Sequence, residues 1–596
     1  MWNTESGCVK LRAVTPEIHI RTPEERIAEC LDFLYGPQTG AATREQAMKI
    51  IAKLGRRADG SAGPPPLWLD EKDAMLITYA DQVREPDRPP LRTLREFLQD
   101  RLKSIVSAAH ILPFFPYSSD DGFSVIDYLQ VNPEFGSWAD VEALAGEFKL
   151  MFDAVFNHMS AQSPWFRAYL NNDPEFRDFF IAVEGEPDLS SVVRPRTTPL
   201  LTEFASASGP RRVWTTFSAD QADLNYKNPK VLLKMLEVLL KYVRRGARFI
   251  RLDAIAFLWK EIGTPCIHLP QTHAIIRFFR AALDIAAPEV LLITETNVPH
   301  KDNISYFGDG YTEAQLVYNF ALPPLTLHSF LRGDATVLSQ WARTLAAPSP
   351  RTTFFNFLAS HDGVGLNPAR GILPEEEIQF LVERCLAHGG YVSNKANPDG
   401  TESPYELNIV YFDALNDPGA EEPTEVQVNR FIASQCVMLA LAGMPGIYFH
   451  SLFGSRNDRR AVEETGIKRR INRQKFPREQ IEAELADPQS VRARVFSGYA
   501  RMLRARRSRA AFAVNSPQAV LDGHPSVFAV LRGQAPRRVL CLQNTAGKEV
   551  EFPIPKPLRS SRLDILARHP DSGPSPGSGG AIRLEPYQVL WLEETP

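Results

Sequence analysis

The sequence predicts an α/β protein: a (β/α)8 barrel (a TIM barrel) with two long insertions over one face, followed by an all-β domain. Three observations predict it. Eight short apolar, strand-like runs lie between residues 75 and 450, most of them separated by helical patterns. Four segments with ionisable side chains each end or follow one of these runs, on the face where such barrels carry their chemistry. Beyond about residue 507 the helical patterns give way to short strand signals between turns.

The elements follow in chain order. Residues 1–70 hold two helical patterns, near 24–34 and 43–54, and close on Gly63-Pro-Pro-Pro66, which reads as a separate helical extension. The barrel spans 71–506. Its strands are expected at 75–79, at 105–112 after a helix end, and at 150–156, 248–255, 290–295, 314–321, 352–358 and 446–450. An amphipathic helix at 229–244 precedes the fourth strand and a helix at 273–286 the fifth. The apolar run 431–449 is broken by Ser434, Gln435, Gly443, Pro445 and Gly446, so it reads as a buried helix and then a strand, not a membrane span. Two connections exceed barrel loops: an inserted domain over 163–220 and a second insertion over 363–425, both placed to overhang the active face. Residues 507–596 form the C-terminal β domain, with strand signals at 527–531, 538–543 and 588–592 and a Gly/Ser/Pro-rich loop at 571–580.

Bulk properties exclude several classes. The formal charge of -4, with no long basic block, argues against a nucleic-acid partner. Six scattered cysteines without a CxxC read as reduced, buried thiols and not as disulfides or a zinc site. Residues 1–12 lack the apolar stretch of a signal peptide, so the cytoplasm is the expected location, with no membrane partner. No phosphate-binding GxxxxGK[ST], zinc-binding HExxH or GxSxG stands at a usable place. The sequence leaves monomer and homodimer open.

The four segments are Asp153-Ala-Val-Phe-Asn-His158, Arg251-Leu-Asp253, Ile293-Thr-Glu-Thr296 and His361-Asp362. Together they supply the carboxylates, the strand-borne Arg and the two His that retaining chemistry at an anomeric carbon needs. Arg251 and Asp253 are two apart on a strand, so both point the same way. The Arg is expected to lower the Asp pKa and keep it ionised as a nucleophile. Glu295, at the end of an apolar strand, is expected to have a raised pKa and act as general acid. Asp362 could grip sugar hydroxyls and stabilise an oxocarbenium-like transition state, with His361 beside it. Asp153 reads as a buried structural carboxylate and His158 as a sugar contact. Asp120-Asp-Gly-Phe123 offers a carboxylate and an aromatic ring after the second strand, and Arg473, in Arg470-Ile-Asn-Arg473, is a partner for Asp120. Arg194-Pro-Arg196 forms a rigid cationic edge suited to phosphate or carboxylate. This chemistry requires no cofactor and no metal.

These residues resemble the α-amylase superfamily, glycoside hydrolase family 13, from about Leu76 to the C-terminus. Leu76-Ile-Thr-Tyr-Ala-Asp81, His110-Ile-Leu-Pro-Phe-Phe115, Phe320-Ala-Leu-Pro-Pro-Leu325 and His361-Asp-Gly-Val-Gly365 are similar to phrases of its sucrose phosphorylase subfamily. The resemblance implies Asp253 as nucleophile, Glu295 as acid/base and Asp362 as transition-state stabiliser. It implies a glucose subsite of Asp120, Phe123, His158, Arg251, His361 and Arg473. It also places Phe217 and Gln221 near the acceptor entrance and Arg196 at a phosphate position. The acceptor side departs from the sucrose enzymes. Those carry a Tyr just ahead of the Arg-Pro-Arg motif, whereas Val193 directly precedes Arg194 here. They carry His where Asn297 stands, and a Tyr-Gln-Val-Asn phrase where this chain has Tyr405-Glu-Leu-Asn408. Thr296-Asn-Val-Pro-His300 and the phrase containing Tyr405 and Glu406 resemble the glucosylglycerate phosphorylases of the subfamily. The resemblance therefore implies reversible phosphorolysis of 2-O-α-glucosylglycerate, with phosphate and α-glucose 1-phosphate as the other small-molecule partners. A carboxylate-bearing acceptor would need a cation, for which Lys395, Arg194 and Arg196 are the candidates. Phosphorolysis of sucrose or its 6'-phosphate, and hydrolysis or transglucosylation, stay open as alternatives.

Overall fold

The computed structural model describes residues 21–55, 67–554, 562–566 and 580–594. Eight strands close a barrel in chain order: β1 (Met75–Thr78), β2 (Ala108–Ile111), β3 (Lys149–Ala154), β4 (Ala247–Leu252), β5 (Leu291–Thr294), β6 (Leu316–Tyr318), β7 (Thr353–Phe357) and β8 (Met444–Tyr448). Every neighbouring pair is parallel. Parallel strands covered on both faces have no solvent side, which is why these runs read as near-continuous apolar stretches. Gly446 in β8 is a packing requirement. A Cβ there would stand 2.3 Å from the Phe355 ring of β7.

Several strands end earlier than expected, two of them where an α-helix takes over. β6 stops at Tyr318 and β8 at Tyr448, and helical turns begin at Leu322 and Phe449. The apolar signal runs through both junctions because it reports burial, and a short buried strand and a short buried helix look alike in it.

The helix α1 (Pro23–Leu54) starts with a capping box of Thr22 and Glu25 and bends at Gly36, whose φ is 76°, just before Pro37. The sequence reads this segment as separate, but it packs on the barrel helices α2 (Pro229–Arg244) and α3 (Pro270–Ala286). Ile27, Leu31, Ala47 and Ile51 merge into the barrel's own apolar core. Arg26 donates to Asp284 at 2.5 Å and the Tyr35 hydroxyl to the Tyr226 carbonyl at 3.0 Å. The separation was inferred from the break at 63–66, which lies outside the described residues and says nothing of what the helix faces.

After β3 the chain forms an antiparallel hairpin, Leu201–Ser206 with Gly209–Trp214, and a short pairing of His158–Ser160 with Gln221–Asp223. After β7 it forms a three-stranded antiparallel sheet of Val364–Gly365, Glu402–Asn408 and Tyr391–Ala396. The two excursions meet in a backbone bridge between Arg194 and Ala396. A buried ammonium ties the first excursion to the barrel. Lys260 Nζ lies 2.5 Å from Asp223 and donates to Asn157 at 2.8 Å and to the Phe257 carbonyl.

The C-terminal strands make a five-stranded sheet ordered Gln518–Val520, Val527–Arg532, Val539–Asn544, Val589–Glu594, Arg562–Asp564. Buried Arg532 fastens it to the barrel by donating to the carbonyl of Ala440 at 2.7 Å, and also donates within the C-terminal segment to that of Ala513 at 3.0 Å. The loop expected at 571–580 lies outside the described residues except for Gly580. Cys30, Cys266, Cys385, Cys436 and Cys541 are buried free thiols, while Cys8 is outside the described residues.

Leu31→Ala tests whether α1 belongs to the core. Its side chain is fully buried. The truncation is expected to cost about 2–5 kcal/mol and to lower the calorimetric unfolding temperature. An unchanged transition would mean that α1 unfolds independently.

Candidate active site

The site is built outward from one guanidinium. In the barrel register Arg251 of β4 lies beside Asp153 of β3 and Ile293 of β5. Parallel in-register neighbours share a face, so the Asp153 and Arg251 side chains meet, and the period of two brings Asp253 to the same side. Arg251 Nη1 donates to Asp153 at 2.5 Å and to Asp253 at 2.7 Å, and Nη2 stands 3.8 Å from Glu295. The Arg251 side chain is 2% exposed, so these carboxylates balance a charge that burial alone would expel. They push the guanidinium pKa well above its ordinary value despite the burial. His110 closes the array from β2 at 2.6 Å from Asp153. Burial would raise the Asp153 pKa, but His110 and Arg251 hold it below the usual carboxylate value.

Immediately past Asp253, Ala254 adopts a left-handed conformation with φ 48°. That conformation is uncommon for a residue with a Cβ and here aims a backbone N–H at the site. It donates to Glu295 Oε2 at 3.1 Å. Burial drives Glu295 up to about 7. Arg251 opposes the rise, and the nearby carboxylates of Asp253 and Asp362 add to it. Asp253 moves in a direction the sequence did not suggest. Burial raises its pKa although Arg251 pulls the other way, because Arg251 is shared and Asp153 and Asp362 repel a further negative charge.

His361 and Asp362 follow β7 and are held through their backbone. Arg473 Nε donates to the His361 carbonyl at 2.9 Å and Asn472 to that of Asp362 at 2.9 Å. The His361 ring stacks on Phe123, with centroids 4.5 Å apart and planes at 5°. Burial, reinforced by Arg473, Arg251 and Arg469, holds His361 well below the ordinary imidazole pKa, so it is neutral. Asp120 and Asp121 both have positive φ, which Asp tolerates better than most residues. Arg473 Nη1 stands 3.3 Å from Asp120 and 2.8 Å from Asp121, so the expected partnership exists but is shared. His158 donates from Nε2 to the Phe123 carbonyl at 2.9 Å and accepts at Nδ1 from Asn157 at 3.2 Å.

Asp253, Glu295 and Asp362 line one cavity with Asp120, Phe123, His158 and His361. Its outer wall brings together Arg196, Phe217, Gln221, Asn297, Tyr405 and Glu406. Asn297 fits because Gly365 has no side chain: a Cβ there would meet Asn297 Oδ1 at 2.5 Å. Four expected residues do not line the cavity. Arg251 and Arg473 support it from beneath, consumed by the ion pairs above. Arg194 donates to the carbonyls of Thr197 and Thr198, at 3.5 and 2.6 Å, which holds its loop. Lys395 is in the hairpin strand opposite Ser403. Short motif spacing identifies cations but not which way their loop turns them.

Arg469 was not singled out, yet it lines the cavity. It lies 2.6 Å from Asp362 and takes Glu406 in a two-pronged pair at 2.9 and 2.7 Å. With burial opposing, Arg469, Arg473 and Arg251 hold Asp362 below the usual carboxylate pKa. The run Lys468-Arg-Arg470 was the available signal, but nothing in it distinguishes Arg469 from its neighbours. Phe257, Thr296 and Val298 also line the cavity, with Ala254 and Ala256, and were likewise missed. Among the described residues no cluster of three or more His, Cys, Asp or Glu is arranged to hold a metal, and no helix is long and apolar enough to cross a membrane.

The α-amylase catalytic domain family matches residues 100–363. A protein named glucosylglycerate phosphorylase from Spirochaeta thermophila is 51% identical, over 96% of this chain and 98% of its own length. A sucrose phosphorylase from Agrobacterium vitis is 31% identical, over 70% of this chain and 85% of its own. The crystal structure of sucrose 6F-phosphate phosphorylase from Thermoanaerobacter thermosaccharolyticum shares the fold, with a TM-score of 0.70 at 24% identity, covering 80% of this chain and 94% of that one.

The raised Glu295 pKa has a stability consequence. Its folded value of about 7 exceeds the ordinary 4.5, so between those pH values the folded state holds a proton that the unfolded state has lost. Stability from this group is full below about 4.5 and falls as pH rises through about 7. Glu295→Gln, neutral throughout, is expected to flatten that decline and to unfold at higher denaturant than wild type at pH 8. Parallel pH profiles for the two proteins would mean Glu295 is ionised in the folded state at lower pH.

Proposed function

This chain belongs to the α-amylase superfamily, and from that premise we propose that it is a retaining α-glucoside phosphorylase acting on 2-O-α-glucosylglycerate. The observation that carries the chemistry is the unequal treatment of two carboxyls by one guanidinium. Asp253 has a direct 2.7 Å bond to Arg251, while Glu295 stands 3.8 Å off and is pushed up to about 7. One proton shared by the pair therefore resides on Glu295 and leaves Asp253 the anion. A carboxylate and a carboxylic acid at the mouth of one cavity are what retention requires, at a separation of about 5–5.5 Å.

Asp253 attacks the anomeric carbon as Glu295 gives its proton to the departing glycosidic oxygen. Asp362 stabilises the oxocarbenium-like charge between them. The acceptor leaves and a β-glucosyl ester remains on Asp253. Glu295, now a carboxylate, receives any proton released as phosphate attacks the same face, and α-glucose 1-phosphate forms. Asp120, Phe123, His158 and His361 hold the glucosyl group, with Arg251 and Arg473 fixing them from below. Near-full-length similarity to named glucosylglycerate phosphorylases supports glycerate over fructose as the acceptor.

Two measurements test this. The protein with α-glucose 1-phosphate is expected to release phosphate when D-glycerate is added and far less with fructose. Release with fructose alone would return it to the sucrose phosphorylases. Asp253→Ala is expected to lower turnover by at least about 10³-fold, and substantial residual turnover would refute the assignment.

A further inference from the structure

Far from the catalytic carboxylates, charge is left unbalanced where α1 meets the barrel. Four guanidinium groups stand there: Arg26 of α1, Arg277 and Arg280 of α3, and Arg351 just ahead of β7. Two carboxylates answer them. Asp284 takes Arg26 at 2.5 Å and Arg280 at 3.0 Å, and Glu313 takes Arg277 at 3.4 Å and His273 at 2.8 Å. Arg351 makes no ion pair and no side-chain hydrogen bond among the described residues, and its Nε is buried. Burial lowers its pKa, and Arg280 and Arg26 repel it further against the pull of Asp284. Arg26, its side chain 8% exposed, gives Nη2 to Asp284 but keeps Nε and Nη1 buried without a partner. Buried donors and buried charge are both costly until something meets them.

A cleft of about 720 Å³ opens at the same junction, lined among others by Arg26, Cys30 and Phe33 of α1, Arg277 of α3, and Thr312 and Glu313 ahead of β6. It shares no lining residue with the catalytic cavity. Its size exceeds a bare phosphate and falls in the range of small-molecule sites, roughly 300–1,000 Å³. The remaining carboxylates of the cleft are engaged. Glu29 pairs with Arg21 at 2.5 Å on the exposed rim, and Asp309 accepts the backbone N–H groups of Tyr311 and Thr312 at 2.8 Å. Phe33, 54% exposed, leaves its ring uncovered. We propose that this cleft is a second ligand site that takes a small organic phosphate, with the phosphate on Arg26, Arg351 behind it, and the organic part against Phe33. A phosphate monoester has the oxygens to meet both free donors of Arg26 and the charge to balance Arg351. Bound there, it bridges α1, α3 and the segment ahead of β6. The site stands whichever reaction the catalytic cavity performs.

The test uses the full-length protein, with glucose 6-phosphate and AMP as probes and glucose and adenosine as their uncharged counterparts, in titration calorimetry and thermal unfolding. One or both esters are expected to bind and to raise the unfolding temperature, and the matching uncharged compound to do neither. The ester that binds identifies the organic part. Arg351→Gln is expected to weaken this binding by at least about 10-fold. Because it removes a buried, unpaired charge, it is also expected to unfold no earlier than wild type when no ester is present. Arg26→Gln, which gives up the Asp284 pair, is expected to lose binding whatever its stability, and Arg196→Gln in the catalytic cavity to keep it. Binding of neither ester would overturn the proposal. So would binding that survives Arg351→Gln and disappears in Arg196→Gln, which would place the ester in the catalytic cavity. Unfolding of Arg351→Gln well below wild type would overturn it too, by showing that this guanidinium is already balanced.

Discussion

The interaction on which the rest depends is the buried ion array of Arg251 with Asp153, Asp253 and Glu295. A guanidinium 2% exposed in a barrel lumen is costly unless its donors are met by anions. Three adjacent strands meet them. Asp153 comes from β3 in register, Asp253 from the end of β4, and Glu295 from just beyond β5. The array sets both position and protonation, since the group that balances Arg251 most closely remains an anion and the one held farther keeps a proton. A slip of one residue in β4 would turn Arg251 to the other face and dissolve the site.

The cavity is built from two kinds of element, the barrel and the two excursions over it. The barrel holds Asp253, Glu295 and the residues proposed to grip the sugar just past its strands, with ion pairs beneath. The two excursions supply the outer wall of the cavity: Arg196 and Phe217 from the first, Tyr405 and Glu406 from the second. They are fixed to the barrel and to each other by links that include the buried pair of Lys260 with Asp223, the pair of Arg469 with Glu406 and the half-buried backbone bridge of Arg194 with Ala396. Loops on a fixed scaffold can change what is accepted without moving what reacts. At Ala254, Asp120 and Asp121 a left-handed backbone aims a polar group at the cavity or its supports, while other non-glycine residues with positive φ, such as Asp87 and Tyr587, lie elsewhere.

The barrel was legible because its strands are fully buried and its helices amphipathic, and Arg251 with Asp253 was legible because spacing along a strand determines facing. Glu295 and Asp362 stood out for a different reason: each stands just past an abrupt end of apolarity, and both line the cavity. What depends on depth or on distant loops was not legible. The direction of the Asp253 shift depends on how many carboxylates share Arg251. The choice of Arg469 over its neighbours depends on which side of a short helical turn meets Glu406. The departure of Arg194 and Lys395 from the cavity depends on loop paths, and the docking of α1 on a face whose partners, Tyr226 and Asp284, lie 191 and 258 residues away.

The central claim is that Asp253 is the atom donor to the anomeric carbon and that the glucosyl group passes through it. The most direct measurement is to trap that ester with a fluorinated glucosyl fluoride, which forms the intermediate and slows its breakdown, and to map the modified peptide by mass spectrometry. The account predicts one added fluoroglucosyl group on the peptide bearing Asp253, lost on addition of D-glycerate or phosphate. A label on Glu295 or Asp362, or turnover with no covalent species, would contradict it.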